Sequence, residues 1–284
     1  MDIEILGAES LGVRGMACVV RVGERTVVID PGVALGYRRA GLPPHPVQVA
    51  VGEAVRNAIL HALSEATDVV ISHFHGDHMP LTDGNEYQLH LDDAAPLLRT
   101  PQLWIKDLCG ETPDVADRRA TLLARLEPTL TPCEDTPGET LRFSPPMPHG
   151  HDHAPMGTVM MTRIQHGRDV FVHASDIQLL ADEPVERVLE WAPTIVLSSG
   201  PALYRNPSAE EMAGAERRLL RIAEVADTCI VDHHILRDLE GMAWLDQVAS
   251  RARARVCCAA DFMGLPRALL EARRAELYGT TETG

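Results

Sequence analysis

The sequence has 284 residues, of which 26 are lysine or arginine and 41 are aspartate or glutamate, so its formal net charge is −15. This charge argues against a general nucleic-acid binder and against a protein held on anionic lipid. Hydrophobic residues at 45% and charged residues at 24% are ordinary for globular proteins and exclude disordered, collagen-like and coiled-coil chains. We therefore expect a single folded domain over residues 1–284.

The first elements in chain order are predicted to be strands. An alternating run over 3–6 predicts a strand, and two β-rich runs over 17–22 and 26–30, joined at Gly23-Glu24, predict a hairpin. Apolar residues at helical spacing over 47–66 predict a helix. A short apolar strand over 68–72 follows, and it runs directly into a histidine cluster.

The range from about 79 to 148 is rich in proline, and we expect it to be a loop-rich excursion with one helix near 114–126. Such loops beside strand ends can contact a substrate or can be plain surface excursions. Beyond it, strands are predicted over 158–164, 169–173, 194–198, 228–232 and near Val256. Helices are predicted over 183–191, from Ser208 with a capping box to Glu211, over 239–252 and over 266–277.

Targeting and redox signals are weak. The N-terminal residues lack a basic segment followed by an apolar one, and no stretch offers about 18 uninterrupted apolar residues. The six cysteines include no C-x-x-C pair, which suits neither a disulfide framework nor a zinc ribbon. We therefore expect a cytoplasmic protein without a membrane span.

The residues His73-Phe74-His75-Gly76-Asp77-His78 place three imidazoles and one carboxylate within a short loop after a buried strand. Imidazole nitrogen and carboxylate oxygen suit zinc and its first-row neighbours, and a loop at a strand end can turn its side chains toward two adjacent metal positions. A lone histidine would usually be structural. The H-x-H-x-D-H spacing instead predicts a metal site.

This pattern resembles the second motif of the metallo-β-lactamase-fold hydrolases, and the resemblance implies an α/β fold, a four-layer αββα sandwich with a dinuclear metal site at one edge. The segments Glu9–Arg14, Asp30–Gly36, Gly41–Pro46 and Asp232–His234 are similar to those of an archaeal branch of this superfamily, whose members are classed as metallo-hydrolases of uncharacterised function. The resemblance covers nearly the whole chain. It implies a reaction class but no substrate.

Four further motifs of the family can be matched in order. Asp30 matches the first motif and is expected to orient the site loop. His149 is the preferred third motif over His151 and His153, and Asp176 matches the bridging carboxylate, although it could instead cap the next helix. His233 is preferred for the fifth motif, with His234 as the alternative or as an outer-shell residue. His173 is expected to be a core or outer-shell histidine.

The resemblance implies one metal position at His73, His75 and His149, a second at Asp77, His78 and His233, and Asp176 between them. Zinc is the expected metal, with manganese or iron as alternatives. A hydroxide held between two such ions can attack a phosphodiester or ester at neutral pH, and Asp77 is the expected catalytic residue that orients it or relays its proton.

Two residue identities narrow the subclass. A glutamate replaces His75 in diiron flavoprotein relatives, so the histidine favours a hydrolytic site. Many β-lactamases of this fold have cysteine at the position of Asp176, so the aspartate favours phosphodiesterase, nuclease, lactonase or thioesterase relatives. Arg38, Arg39 and Tyr204 are candidate substrate contacts, although ion pairs and a turn would explain them equally well.

We therefore predict a hydrolase acting on a small, anionic molecule. The alternatives are a nuclease, which the charge of −15 disfavours without excluding, and a non-catalytic metal-stabilised binding or sensor protein. A homo-oligomer is compatible with the sequence.

Overall fold

The computed structural model describes residues 1–108, 112–126, 131–132, 140–151 and 157–279. Its strands are β1 (Asp2–Ile5), β2 (Cys18–Val22), β3 (Arg25–Ile29), β4 (Asp68–Ile71), β5 (Gln102–Ile105), β6 (Thr131–Pro132), β7 (Leu141–Phe143), β8 (Met147–Pro148), β9 (Thr158–Val159), β10 (Thr162–His166), β11 (Asp169–His173), β12 (Ile195–Ser198), β13 (Thr228–Val231) and β14 (Arg255–Cys257). Its α-helices are α1 (Pro46–Ser64), α2 (Leu91–Ala94), α3 (Pro113–Leu126), α4 (Asp182–Glu190), α5 (Ala209–Ala223), α6 (Glu240–Ala249), α7 (Ala259–Met263) and α8 (Arg274–Leu277).

The strands form two six-stranded sheets and a small two-stranded one. The first sheet has the order β1-β2-β3-β4-β5-β6, and the second has the order β14-β13-β12-β11-β10-β7. β1, β2 and β3 are antiparallel as the predicted hairpin requires, whereas β3, β4 and β5 run parallel. In the second sheet β11, β12, β13 and β14 run parallel.

Successive side chains along each strand point to opposite faces of its sheet, so each sheet packs against a different layer on either side. Val20 and Ile29 of the first sheet pack with Phe171 and Ile230 of the second in a core between the sheets. The opposite faces are covered by helices, α1 and α3 on the first sheet and α4, α5 and α6 on the second. This is the predicted four-layer αββα arrangement. Among the described residues, no helix is both long and apolar enough to span a bilayer.

Capping residues in the sequence agree with the helix starts in the structure. His45 caps α1 by accepting from the Val47 N–H, with proline as the first helical residue. The predicted capping box of α5 is confirmed, because the Ser208 and Glu211 side chains each bond the backbone of the other. The range predicted as loop-rich contains the expected helix α3, and it also contributes β5 and β7 to the two large sheets.

Two predicted elements differ from the structure. The strand predicted over 158–164 is divided into β9 and β10, because the Met160 N–H between them donates to the Ser72 carbonyl instead of to a neighbouring strand. The helix predicted over 266–277 is wrong except for α8. Its earlier residues bond to loops, since Ala268 N–H donates to Ser10 O and the buried Glu271 carboxylate accepts from the Gly36 N–H.

Candidate metal centre

Polar side chains from both sheets meet at one edge of the sandwich. Asp30 directly follows β3, and His73, Asp176 and His233 come two or three residues after the ends of β4, β11 and β13. Because these strands run parallel within each sheet, their carboxyl ends lie at the same edge. The topology therefore gathers residues that are distant in sequence.

The backbone at these strand ends is unusual. Asp30, Ser175 and His233 have φ angles of 49°, 47° and 55°, in the left-handed region that residues other than glycine rarely adopt. Such conformations cost about 1–3 kcal/mol each and persist where surrounding contacts hold them in place. Here they turn the Asp30, Asp176 and His233 side chains toward one another at the edge of the sandwich.

A first cluster contains His73, His75, His149 and Asp176, whose donor atoms all lie within 4.8 Å of one another. His73 Nε2 lies 3.1 Å from His75 Nδ1, and His149 Nε2 lies 3.2 Å from Asp176 Oδ2. Three imidazole nitrogens and one carboxylate oxygen form a donor set that suits zinc.

A second cluster contains Asp77, His78 and His233 within the same limit. His233 Nε2 lies 3.4 Å from His78 Nε2 and 3.4 Å from Asp77 Oδ2. The structure thus brings all seven predicted metal ligands into two adjoining groups that share the Asp176 carboxylate as a neighbour.

Asp176 lies at the centre of the two clusters. Its Oδ2 is within 3.0–3.7 Å of imidazole nitrogens from five histidines, namely His73, His78, His149, His233 and His234. Its buried Oδ1 has no hydrogen-bond partner in the described part of the chain. An ion would satisfy such an atom, so the residues present fit a bound metal.

The same contacts determine the charge of Asp176. Burial alone would raise the pKa of this carboxyl, but the imidazoles of His78, His234 and His233 hold it well below its usual range. Asp176 is therefore an ionised, buried carboxylate, which is the form that binds a cation.

A second layer of hydrogen bonds orients the ligands. His78 Nδ1 donates to Asp30 Oδ2 at 2.9 Å, which leaves Nε2 facing the clusters. Ser72 Oγ donates to Asp30 Oδ2 at 2.6 Å and accepts from His73 Nδ1 at 2.9 Å, so His73 is held in the same tautomer. Asp30 has the orienting position expected for the first motif, and this arrangement is common around metal-binding histidines.

The structure distinguishes the histidines that were alternative candidates for the site. His151 is exposed and its Nε2 pairs with Glu211 Oε1 at 3.0 Å, and His153 lies outside the described residues. His173 is buried and its Nε2 donates to Met16 O, which is a core role. His234 reaches the site together with His233, because its Nε2 lies 3.0 Å from Asp176 Oδ2.

Of the three candidate substrate contacts, only Tyr204 contacts a histidine that reaches Asp176. Its hydroxyl lies 2.6 Å from His234 Nδ1. Arg38 is exposed and donates to Gly41 O, and Arg39 pairs with Asp238 at 3.5 Å. The two arginines are thus engaged in local contacts.

Sequence reasoning missed a buried ion pair beside the site. Arg237 Nε donates to Glu9 Oε1 at 2.7 Å, and its Nη1 donates to the Tyr204 hydroxyl at 3.1 Å. Burial, and then the nearby Glu271 carboxylate, raise the pKa of Glu9, whereas the Arg237 guanidinium opposes the shift. No sequence signal distinguishes these residues from a surface pair, because Glu9 and Arg237 come from opposite ends of the chain.

Two buried imidazoles are expected to stabilise the metal-free protein increasingly as the pH rises from about 4 to 6.5. Burial lowers the pKa of His234 to about 4 and that of His75 to about 3 from the ordinary 6.5, so at these two residues the unfolded chain binds more protons in this window. At about 1.4 kcal/mol per unit, His234 alone contributes on the order of 3 kcal/mol. Glu9 acts in the opposite direction, because its raised pKa lets the folded state hold a proton that the unfolded chain releases, so the contribution of His234 is measured as a difference between variants.

Urea unfolding of chelator-treated protein at pH 4.5 and 6.5 measures the effect. His61 is exposed, so His61→Gln should keep the wild-type difference, whereas His234→Gln should reduce it. A His234→Gln protein with the same change in unfolding free energy between the two pH values as the wild type would contradict the prediction.

Comparisons with known proteins place the chain among archaeal sequences. It is 46% identical over 279 residues to a UPF0282 protein of Methanosarcina mazei, covering 98% of this chain and 92% of that protein. It is 35% identical over 292 residues to a UPF0282 protein of Methanopyrus kandleri, covering 98% of this chain and 99% of that protein. No family model matched the sequence.

Solved structures agree on the fold. A metal-dependent hydrolase of the β-lactamase superfamily matches with a TM-score of 0.52 at 13% identity, covering 90% of this chain and 95% of that one. An isothiocyanate hydrolase from Delia radicum gut bacteria matches with a TM-score of 0.51 at 16% identity, covering 83% of this chain and 90% of that one. These likenesses show that the chain has the metallo-β-lactamase fold.

Proposed function

The chain belongs to the UPF0282 family, and we propose that it is a metal-dependent hydrolase that cleaves a phosphodiester or ester bond of a small anionic substrate. In this proposal one divalent ion lies among His73, His75 and His149 and a second among Asp77, His78 and His233, with Asp176 between them. The observation that carries the proposal is the ionised Asp176 carboxylate, which faces five imidazoles with one oxygen and has no partner for the other.

Zinc is the metal that we propose, since imidazole nitrogen dominates the donor set. When bound, two divalent ions would polarise a phosphoryl or carbonyl oxygen and lower the pKa of water toward 7. Both types of bond can be cleaved by this chemistry, so the proposal includes both.

The residues of the chain supply positioning and proton transfer. The Asp77 side chain is 17% exposed, whereas the Asp176 side chain is 1% exposed, so Asp77 is the more accessible carboxylate of the two. We assign Asp77 the orientation of the attacking water and the acceptance of its proton. The imidazoles of His78 and His233, followed by the Arg237 guanidinium, hold the pKa of Asp77 well below its usual range, although burial opposes them, so the residue is a carboxylate at neutral pH.

The charge of the protein favours a small substrate. At −15, the protein repels long polyanions, whereas a small anion experiences little of this repulsion and meets a site with several imidazoles and the Arg237 guanidinium.

Replacing Asp77 with alanine is expected to lower turnover by about 10²- to 10⁴-fold, the range typical of a lost acid–base group. The measurement is metal content by elemental analysis together with hydrolysis of bis-(p-nitrophenyl) phosphate, a lactone panel and a thioester panel. Asp83→Ala is the matched control, because Asp83 is an exposed aspartate in the following loop.

Bound metal with Asp77-dependent cleavage would support the proposal, and the preferred panel member would separate phosphodiester from acyl chemistry. Absence of bound metal after incubation with excess zinc would overturn it. Equal turnover by wild type and Asp77→Ala would remove Asp77 from its assigned role.

A further inference from the structure

The two proposed metal positions have different electrostatic surroundings. Arg237 Nη2 lies 2.9 Å from His233 Nε2 and 3.1 Å from Asp77 Oδ2, two of the donor atoms of the second position. The polar neighbours of His73 and His149 in the first position are hydroxyl, imidazole, amide and carboxylate groups. A permanent positive charge therefore borders the second position.

The guanidinium is held in place. The Arg237 side chain is 8% exposed, its Nε donates to Glu9, and its Nη1 donates to the Tyr204 hydroxyl. Glu9 is 2% exposed. Because Glu9 is fixed in the interior, an incoming ion cannot displace the guanidinium into solvent without breaking a buried ion pair.

The hydrogen-bond donors around His233 are a second observation. The Gly15 N–H donates to His233 Nδ1 at 3.2 Å, and Arg237 Nη2 lies 2.9 Å from His233 Nε2, so both ring nitrogens face N–H donors. His78 differs, since its Nδ1 donates to Asp30 Oδ2. A neutral ring that binds an ion through Nε2 carries its proton on Nδ1, so binding at His233 requires the loss of the Gly15 hydrogen bond and brings the ion against the Arg237 guanidinium.

We infer that Arg237 makes the two metal positions unequal, so that the first binds a divalent ion tightly and the second binds it weakly. The inference rests on the proposed function. A guanidinium in contact with two donor atoms repels a divalent cation strongly in a buried, low-dielectric site. Arg237 is thus a positioning residue that governs occupancy of the second position through Asp77 and His233.

The test is a zinc titration of metal-free protein at pH 7.5, followed by calorimetry and by competition with a chromophoric chelator. In the wild type, we expect the second dissociation constant to exceed the first by at least about 100-fold. The double variant Glu9→Gln/Arg237→Gln removes both members of the ion pair. Its second dissociation constant should fall by at least about tenfold, and its first should stay within about threefold of the wild-type value. The physical basis is the lost charge repulsion.

Two further variants test whether the charge of Arg237 is responsible. Arg237→Lys keeps the charge and should retain the weak second position. Arg14→Gln/Glu271→Gln removes another ion pair of the same network that touches neither Asp77 nor His233, and it should leave both constants unchanged. Thermal melting checks that each variant is folded.

Two equal, tight constants in the wild type would overturn the inference and leave the proposed function standing. An unchanged second constant in the folded Glu9→Gln/Arg237→Gln variant would also overturn it. Failure of the wild type to bind zinc at all would overturn both the inference and the proposed function.

Discussion

Replacing Asp176 with asparagine is expected to abolish binding at both metal positions. The substitution keeps the size of the side chain but removes the charge that five imidazoles face. The loss in metal affinity should be far larger than the roughly 10- to 100-fold that follows removal of an outer-shell partner. Elemental analysis and a zinc titration measure the loss, and hydrolysis of the substrate panel should fall to background.

Asp182→Asn is the matched control for this change. Asp182 is an exposed aspartate at the start of α4, where its carboxylate pairs with Arg218, and its loss should leave metal binding unchanged. Two bound zinc ions in Asp176→Asn would show that the carboxylate is not shared between the positions.

Gly32→Ala is expected to destabilise the protein by about 3 kcal/mol or more and to weaken zinc binding at the same time. An added Cβ at position 32 would lie 2.3 Å from Met79 N and 2.4 Å from His78 C. These are backbone atoms of the loop that carries the candidate ligands, so the overlap can be relieved only by moving that loop. Overpacking of this kind usually costs about 1–3 kcal/mol even against side chains.

Gly84→Ala provides the comparison, because a Cβ there would make ordinary contacts at 3.4 Å or more with the Gln88 and Leu81 side chains. Chemical denaturation and zinc titration of both variants test the prediction. A Gly32→Ala protein with wild-type unfolding free energy would mean that the loop accommodates the methyl group, and the close approach would then have no role in holding His78.

The candidate ligands could be identified because their signals are local. His73, His75, Asp77 and His78 lie within six residues, and Asp176 and His233 each follow an apolar strand, so parallel strand ends bring them to one edge. Most strands and helices could be predicted from the alternating and helical periodicities along the chain, whereas the four-layer arrangement was implied by the resemblance to the metallo-β-lactamase fold.

What could not be predicted depends on contacts between distant segments. Arg237 has no local feature that separates it from the other arginines, and its role arises only because Glu9 and Tyr204 fold beside it. The helix expected over 266–277 shows the same limit. Its apolar spacing is helical, but the Glu271 carboxylate accepts from Gly36 and Arg14 in the loops after β3 and before β2, and these contacts outweigh a local helical turn.

The donor atoms come from two separate halves of the chain. The loop after β4 in the first sheet carries His73, His75, Asp77 and His78. The later part of the chain carries the other three, with His149 after β8, Asp176 after β11 and His233 after β13. During synthesis the first half therefore leaves the ribosome with an incomplete donor set, and the set is completed only after β13 has emerged. Metal insertion at the proposed site is then a late event in the maturation of the chain, and a truncated product ending before β13 would lack the means to retain both ions.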